Sequence, residues 1–252
     1  PSTAERSSIP PSLITRKSIL RSAPPNLSPS SFASAPSLSH IANFAFLSSR
    51  FSVATSGNAH VRLVSMRVIG GTSRGRRLAG PRGLDVRPTA DHVKEALFNI
   101  LADRMAGARF LDLFAGTGNI GIEALSREAR QATFVESSPA VSRLLRANLQ
   151  RCGFERQADV RLMPVSRFLK HWREPAYDIV FLDPPYQTQE AEKVLPSLGR
   201  DAIIRANGVV VVEHFHKSPL DDRIGHLALV KTYRYGDTCL SVYRSVREET
   251  PA

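Results

Sequence analysis

The stretch Phe110–Leu125, FLDLFAGTGNIGIEAL, decides how the chain is read. An apolar run interrupted by one acid makes a strand, glycines break it, and an apolar helix follows. Gly116, Gly118 and Gly121 fit the G-x-G-x-x-G pattern, which lets a ligand lie against bare backbone at a helix N-terminus. Two ligand chemistries compete for such a loop. A nicotinamide dinucleotide lays its pyrophosphate there. S-adenosylmethionine has no phosphate and carries an ammonium, a carboxylate and a sulfonium. Asp112, on the strand just before the glycines, repels a pyrophosphate and attracts an ammonium. The plainer alternative is an acid making a local backbone bond. Glu136, at the end of the next strand, can accept ribose hydroxyls with either ligand and does not discriminate.

Outward from that stretch, strands and helices alternate. Strands are expected at Arg109–Phe114, Ala132–Glu136, Val160–Met163, Asp178–Asp183 and Gly208–Glu213. Helices are expected at Ile120–Arg127, Pro139–Cys152, Val165–Trp172 and Glu190–Leu198. His226–Tyr233 and Thr238–Ser245 read as a hairpin across Tyr-Gly-Asp. Continuous apolar strands such as Val209–Val212 indicate burial on both faces, hence a mostly parallel sheet. Upstream, Arg67–Gly71 and Arg76–Ala79 flank a hairpin signal. Thr89 is placed to cap a helix running to about Leu101, with Val93, Ala96, Leu97, Ile100 and Leu101 on one face.

The second informative stretch is DIVFLDPPY, Asp178–Tyr186. Its strand carries Asp183 to the end where ligands sit in open α/β sheets. Pro184 and Pro185 fix an extended backbone and leave the Pro184 carbonyl free. Tyr186 adds a flat ring. An acceptor pair beside a ring suits a planar base with an exocyclic amine: the ring stacks, and the acceptors take the amine hydrogens. The amine loses its proton only as charge develops, so no strong base is needed.

The 252 residues carry a net charge of +11 and a pI near 10.3, which favours an anionic partner, nucleic acid first. Residues 1–65 hold 17 serines, six Lys/Arg and one acid, and no sustained period. That segment is expected to be a disordered extension, either a transit peptide or a non-native upstream piece, outside the fold. The remaining charge concentrates in Arg67, Arg74, Arg76, Arg77, Arg82 and Arg87, read as phosphate contacts for RNA or as an incidentally basic hairpin. Cys152 and Cys239 read as ordinary reduced thiols. His214 and His216 read as strand-end histidines, and no metal site is expected. No apolar run approaches a membrane helix.

FLDLFAGTGNIGIEAL and DIVFLDPPY together resemble class I S-adenosylmethionine-dependent methyltransferases acting on exocyclic amines. RVIGGTSRGRRL (Arg67–Leu78), RPTADHVKEALFNIL (Arg87–Leu101) and YGDTCLSVYR (Tyr235–Arg244) resemble, more narrowly, the RsmD-like small-subunit ribosomal RNA guanine-N2 methyltransferases. The resemblance covers Met66 to Arg244. It implies a Rossmann-like α/β fold: a mostly parallel seven-stranded sheet with one antiparallel strand and a small N-terminal hairpin-and-helix addition. The implied organisation is an extension at 1–65, an N-terminal hairpin and helix at 66–104, a catalytic domain at 105–247 and a tail at 248–252. It implies S-adenosylmethionine as cofactor, held by Asp112, Phe114, Ala115, Gly116, Gly118 and Glu136, with Asp183 adjoining. Asp183, Pro184, Pro185 and Tyr186 match the catalytic motif. Pro164 stands where the family often has an acid or amide near the adenine, so the Val165 N–H is the expected partner of that ring. Arg74, Arg76, Arg77 and Arg87 are expected to hold RNA. The implied partner is small-subunit ribosomal RNA or an assembling small subunit, met by a monomer in the cytoplasm, or in a plastid or mitochondrion if residues 1–65 are a transit peptide. The alternatives are adenine-N6 or another amine as target, an NAD(P)-dependent oxidoreductase, and a non-catalytic RNA-binding protein.

Overall fold

A computed structural model describes residues 66–80, 88–173, 175–185, 190–200 and 202–247. The 1–65 extension, the 248–252 tail, Arg82, Arg87 and Tyr186 lie outside the described residues. The parallel strands are β1 Arg109–Leu113, β2 Gln131–Glu136, β3 Ala158–Leu162, β4 Tyr177–Leu182 and β5 Ile204–Phe215. A two-residue β6 (Arg223–Ile224), β7 Leu227–Tyr235 and β8 Thr238–Ser245 follow. The sheet order is β3-β2-β1-β4-β5-β8-β7-β6. β8 runs antiparallel to both β5 and β7, so β7 again points the same way as β5. Seven strands of five residues or more match the expected number, and β6 adds an eighth at the edge. Two residues are too few to show any period in sequence, so β6 was not foreseeable from pattern.

Alternate residues of each strand face opposite sides. Phe110, Phe134, Ile179, Phe181, Val209 and Val211 face one core. Leu111, Leu113, Val135, Val180, Leu182, Val210 and Val212 face the other. The first core is covered by α1 (Pro88–Ile100), α3 (Asn119–Ser126) and α4 (Pro139–Cys152), with α2 (Ala102–Met105) adding Met105. The second is covered by α5 (Val165–His171) and α6 (Glu190–Arg200). This double coverage explains why the central strands are apolar throughout.

The start of α1 differs from the sequence expectation, while α4 spans the expected Pro139–Cys152. α1 starts at Pro88, so Thr89 is inside the helix and is not its cap; proline suits a first helical position because the missing N–H has no partner there. α4 is capped by Ser138, whose hydroxyl accepts from the Val141 N–H at 3.5 Å, and it ends at Gly153 with φ 77°.

The N-terminal segment lies along α3. The Thr117 hydroxyl comes to 3.9 Å of Met66 Sδ, near the start of that helix. Further on, the Ile69 and Gly70 N–H groups donate to Glu123 at 2.8 and 2.7 Å. Thr72 and Ser73 reach Ser126 at the helix end. The chain then turns back, with Val68 N–H donating to Arg76 O and Leu78 N–H to Met66 O. The expected hairpin is therefore present in outline, reduced to a single antiparallel bridge between Arg67 and Arg77.

One buried ionic hub fixes this arrangement. Glu123 is fully buried and lies 3.5 Å from Lys94 of α1 and 2.8 Å from Arg127. Lys94 also donates to Arg67 O at 2.6 Å and to Asn119 Oδ1 at 2.9 Å. Burial pushes the Lys94 pKa down, and the Glu123 carboxylate opposes that. Asn148 of α4 adds a second clamp, donating to Ala79 O and Thr117 O and accepting from Ala79 N–H.

Candidate active site

The strand order reverses direction between β1 and β4, which opens a crevice at their carboxyl ends. Asp112 shares the side of Phe110, and Asp183, one residue past β4, shares the side of Phe181. Glu136 falls on the side of Phe134, and Glu213 on the side of Val211. Four acids thus gather at the ends of four adjacent strands, on one face of the sheet. The consequence is electrostatic. Burial raises the Asp112 pKa to about 7, with the Gly121 N–H opposing and Glu136 adding to the rise. Burial, then Glu213 and Asp112, hold Asp183 well above the usual carboxylate range. Buried negative charge without a matching cation is costly, and a cationic ligand group relieves it.

The glycine loop shapes the space beside these acids. Phe114 has φ 62°, an uncommon conformation for a bulky residue that costs on the order of 1–3 kcal/mol and recurs at ligand sites. It swings the chain off β1 so that Ala115 N–H reaches Val135 O at 3.0 Å. Gly116 N–H donates to Glu136 Oε2 at 3.0 Å, and Ser138 N–H donates to the other oxygen at 2.6 Å. Glu136 is thereby aimed, and each oxygen keeps a second lone pair for a ligand hydroxyl. Gly118 caps α3 in the left-handed region. Gly121 serves packing: a Cβ there would meet Phe134 Cε1 at 2.2 Å. Its N–H donates to Asp112 Oδ2 at 2.9 Å. The local backbone bond considered as the plain alternative for Asp112 therefore exists, on one of its two oxygens.

These groups fit S-adenosylmethionine better than a dinucleotide. The acids suit an ammonium and ribose hydroxyls, and they oppose a pyrophosphate. Val165 opens α5 after Pro164, so its N–H belongs to the unsatisfied first turn and can meet a ring nitrogen. Pro184 is buried and Pro185 half-buried, next to Asp183.

Not every residue singled out in the sequence joins this site. Arg74 and Arg76 sit at the hairpin tip by the C-terminal ends of α3 and α4, where Arg76 Nη1 donates to Arg151 O at 2.8 Å. The eight residues of α3 span about 12 Å, so the tip lies away from the acids at the other end. Arg77 is exposed on the returning strand. Asp178, the other acid of DIVFLDPPY, is at the opposite sheet end, holding Arg109 N–H and Arg205 at 2.8 Å each. His214 is buried with Nε2 2.8 Å from Ser241 Oγ, and His216 contacts Asp237. Both cysteines are buried and free. The sequence reading missed Lys94, Glu123 and Glu213. A signal existed for the first: Lys94 falls at i, i+3, i+4, i+7 with Leu97, Phe98 and Leu101, in the middle of an apolar stripe.

The fold and the acids at its strand ends define a class I methyltransferase. The comparisons agree and narrow it. The family described as "Conserved hypothetical protein 95" matches residues 66–244, and the chain belongs to it; this is the RsmD family of the sequence resemblance. The ribosomal RNA small subunit methyltransferase D of Haemophilus influenzae is 40% identical over 158 residues, 62% of this chain and 81% of that one. The Bacillus subtilis protein YlbH, assigned as an rRNA methyltransferase, is 35% identical over 181 residues, 71% of this chain and 98% of that one. The solved structure of the Escherichia coli protein yhhF, assigned as a methyltransferase, has a TM-score of 0.65 and 32% identity, covering 73% of this chain and 99% of that one.

Proposed function

We propose that this chain methylates the exocyclic N2 amine of a guanine in small-subunit ribosomal RNA, with S-adenosylmethionine as donor. The observation that carries the reading is Asp183, set beside Asp112 across the β1/β4 crevice and followed by two prolines, in a chain of this family. S-adenosylmethionine, when bound, supplies an electrophilic methyl carbon on a sulfonium. Asp112 holds the ammonium, Glu136 the ribose hydroxyls and the Val165 N–H the adenine; Phe114, Ala115, Gly116 and Gly118 form the wall of the seat. The Asp183 carboxylate and the Pro184 carbonyl accept the hydrogens of the guanine amine and draw its lone pair out of conjugation. With the donor bound, the nitrogen so oriented would take the methyl group as the carbon–sulfur bond breaks, and one amine proton would pass to Asp183 or water. A carboxylate with a raised pKa suits that last transfer. Tyr186 is assigned to stack the base on sequence grounds. The enzyme is proposed to work as a monomer, wherever bacterial-type ribosomes are built.

Tritiated methyl transfer to undermethylated small subunits tests this, with the product identified by nucleoside mass spectrometry. N2-methylguanosine is expected, and Asp183→Ala should lower the rate by about a hundredfold or more, as loss of a placed polar group does elsewhere. N6-methyladenosine as product, or full activity of the mutant, would overturn the reading. Calorimetry that detects NAD(P) binding and none for S-adenosylmethionine would replace it with oxidoreductase chemistry.

A further inference from the structure

At the N-terminal arginine tip, Arg76 is already bonded to Arg151 O. A second surface carries cations beside aromatic rings on the face of Asp183. In the sheet, Phe215 faces Thr238, and Thr238 faces Tyr235; one step down, Glu213 faces Leu240, and Leu240 faces Tyr233. By alternation Phe215 falls on the side of Glu213, and Tyr233 and Tyr235 pack on the edge of the same core as Leu240. All three aromatic residues are partly exposed, on the face that carries Asp183. At about 4.8 Å per strand, Phe215 is one strand from Asp183 and the tyrosines are three, roughly 14 Å away.

Cations accompany the rings. Lys231 Nζ is 4.7 Å from the Tyr233 ring centroid, and Lys217 Nζ is 5.9 Å from that of Phe215. Tyr233 also borders a hollow of about 160 Å³ between the end of α1 and β7–β8, lined by Arg104, Lys231 and Arg244. It lies further down the sheet: Arg244 pairs with Val209, four residues or about 13 Å along β5 from Glu213, and Arg104 Nη1 donates to Asn207 O at 3.1 Å. Among the described residues lining it there is no acid. The larger cleft by the N-terminal segment, about 480 Å³, differs: Asp91 and Glu95 line it alongside Arg67, Arg74 and Arg127. There Arg127 is bonded to Glu123, and Arg67 is 3.8 Å from Asp91. Net positive charge beside aromatic faces therefore belongs to the β5–β8–β7 surface.

We propose that this face binds single-stranded RNA that leads away from the target guanine over the next few nucleotides. Bases stack on Phe215, Tyr235 and Tyr233, while Arg104, Lys231 and Arg244 hold a backbone phosphate in the hollow. Stacking on aromatic rings with cations alongside is how unpaired nucleic acid is held without regard to sequence. The proposal rests on the methyltransferase reading, since it takes Asp183 as the point where the target base ends up.

The test is fluorescence anisotropy with a labelled ten-nucleotide RNA containing one guanine among pyrimidines, titrated against the full chain at several salt concentrations. Tyr233→Ala should weaken binding about tenfold. The double variant Lys231→Ala/Arg244→Ala, both at exposed positions, should lower the log–log salt slope by about 0.7, the value for one single-strand phosphate contact. The double variant Arg167→Ala/Lys170→Ala, at two exposed positions of α5 on the opposite face, is the charge-matched comparison and should shift neither. Wild-type affinity and salt slope in the double variant would overturn the proposal, as would equal affinity for the same sequence as a duplex. The two readings fail separately. Wild-type protein that methylates small subunits while these variants methylate equally well sinks only this surface; wild-type protein that transfers no methyl group sinks the proposed function as well.

Discussion

Raising the pH from 5.5 to 7.0 should tighten S-adenosylmethionine binding, because Asp112 ionises over that range. Its pKa is pushed up to about 7 by burial. Only the carboxylate form attracts the ammonium, so apparent affinity scales with the ionised fraction, about 3% at pH 5.5 and half at pH 7.0, a change of about sixteenfold. Keeping below pH 7.5 leaves the ligand's own amino group protonated. The sign for stability is opposite. A carboxyl whose folded pKa lies above its unfolded value binds its proton more tightly when folded. Its contribution is present below the unfolded value and lost as pH rises toward about 7, by up to about 4 kcal/mol at about 1.36 kcal/mol per pH unit. Ligand-free protein should therefore become less stable toward neutral pH, and the ligand should restore most of that. Isothermal titration calorimetry in buffers of different ionisation enthalpy measures both the affinity and the proton released. Asp112→Asn should bind weakly and show no such pH dependence. Affinity independent of pH in the wild type would refute the reasoning, as would the same dependence retained in Asp112→Asn, which would move the titration to Asp183.

Three further outcomes follow from the packing. Glu123→Ala leaves Lys94 buried without its counter-charge and removes the acceptor of two backbone N–H groups; denaturant unfolding should show a loss of about 3–5 kcal/mol. Gly121→Ala drives a Cβ to 2.2 Å from Phe134 Cε1 and to 3.0 Å from Asp112 Oδ2, so it should cost about 1–3 kcal/mol by thermal unfolding and weaken S-adenosylmethionine binding at the same time. Gly118→Ala combines φ 84° with a contact at 2.2 Å to Leu145 Cδ1, and a melt should show destabilisation of at least about 1 kcal/mol.

Much of this protein was legible from local pattern. Strand periods, the glycine spacing, the helical run Pro139–Cys152 and the apolar runs into Asp112 and Asp183 are properties of neighbouring residues, and each element they announce is present within a few residues. The class of the fold and the strand-end acids could be read because both depend on short-range geometry: alternation along a strand, and a turn that bares the backbone. What required the tertiary structure was everything set by residues distant in the chain. Glu213 joins the site only because β5 lies beside β4, so that an acid at the end of a valine run comes to face Asp183. Lys94 and Glu123 find each other because α1 and α3 pack on one face. The direction of the N-terminal hairpin along α3 carries Arg74 and Arg76 away from the crevice, although in sequence they read as the natural RNA contact. The hairpin β7–β8 brings Tyr233 and Tyr235 to the catalytic face instead. Local sequence determines which groups are available and on which side of an element they lie. Charge environment and proximity depend on which elements become neighbours, and that is settled by the burial of whole faces.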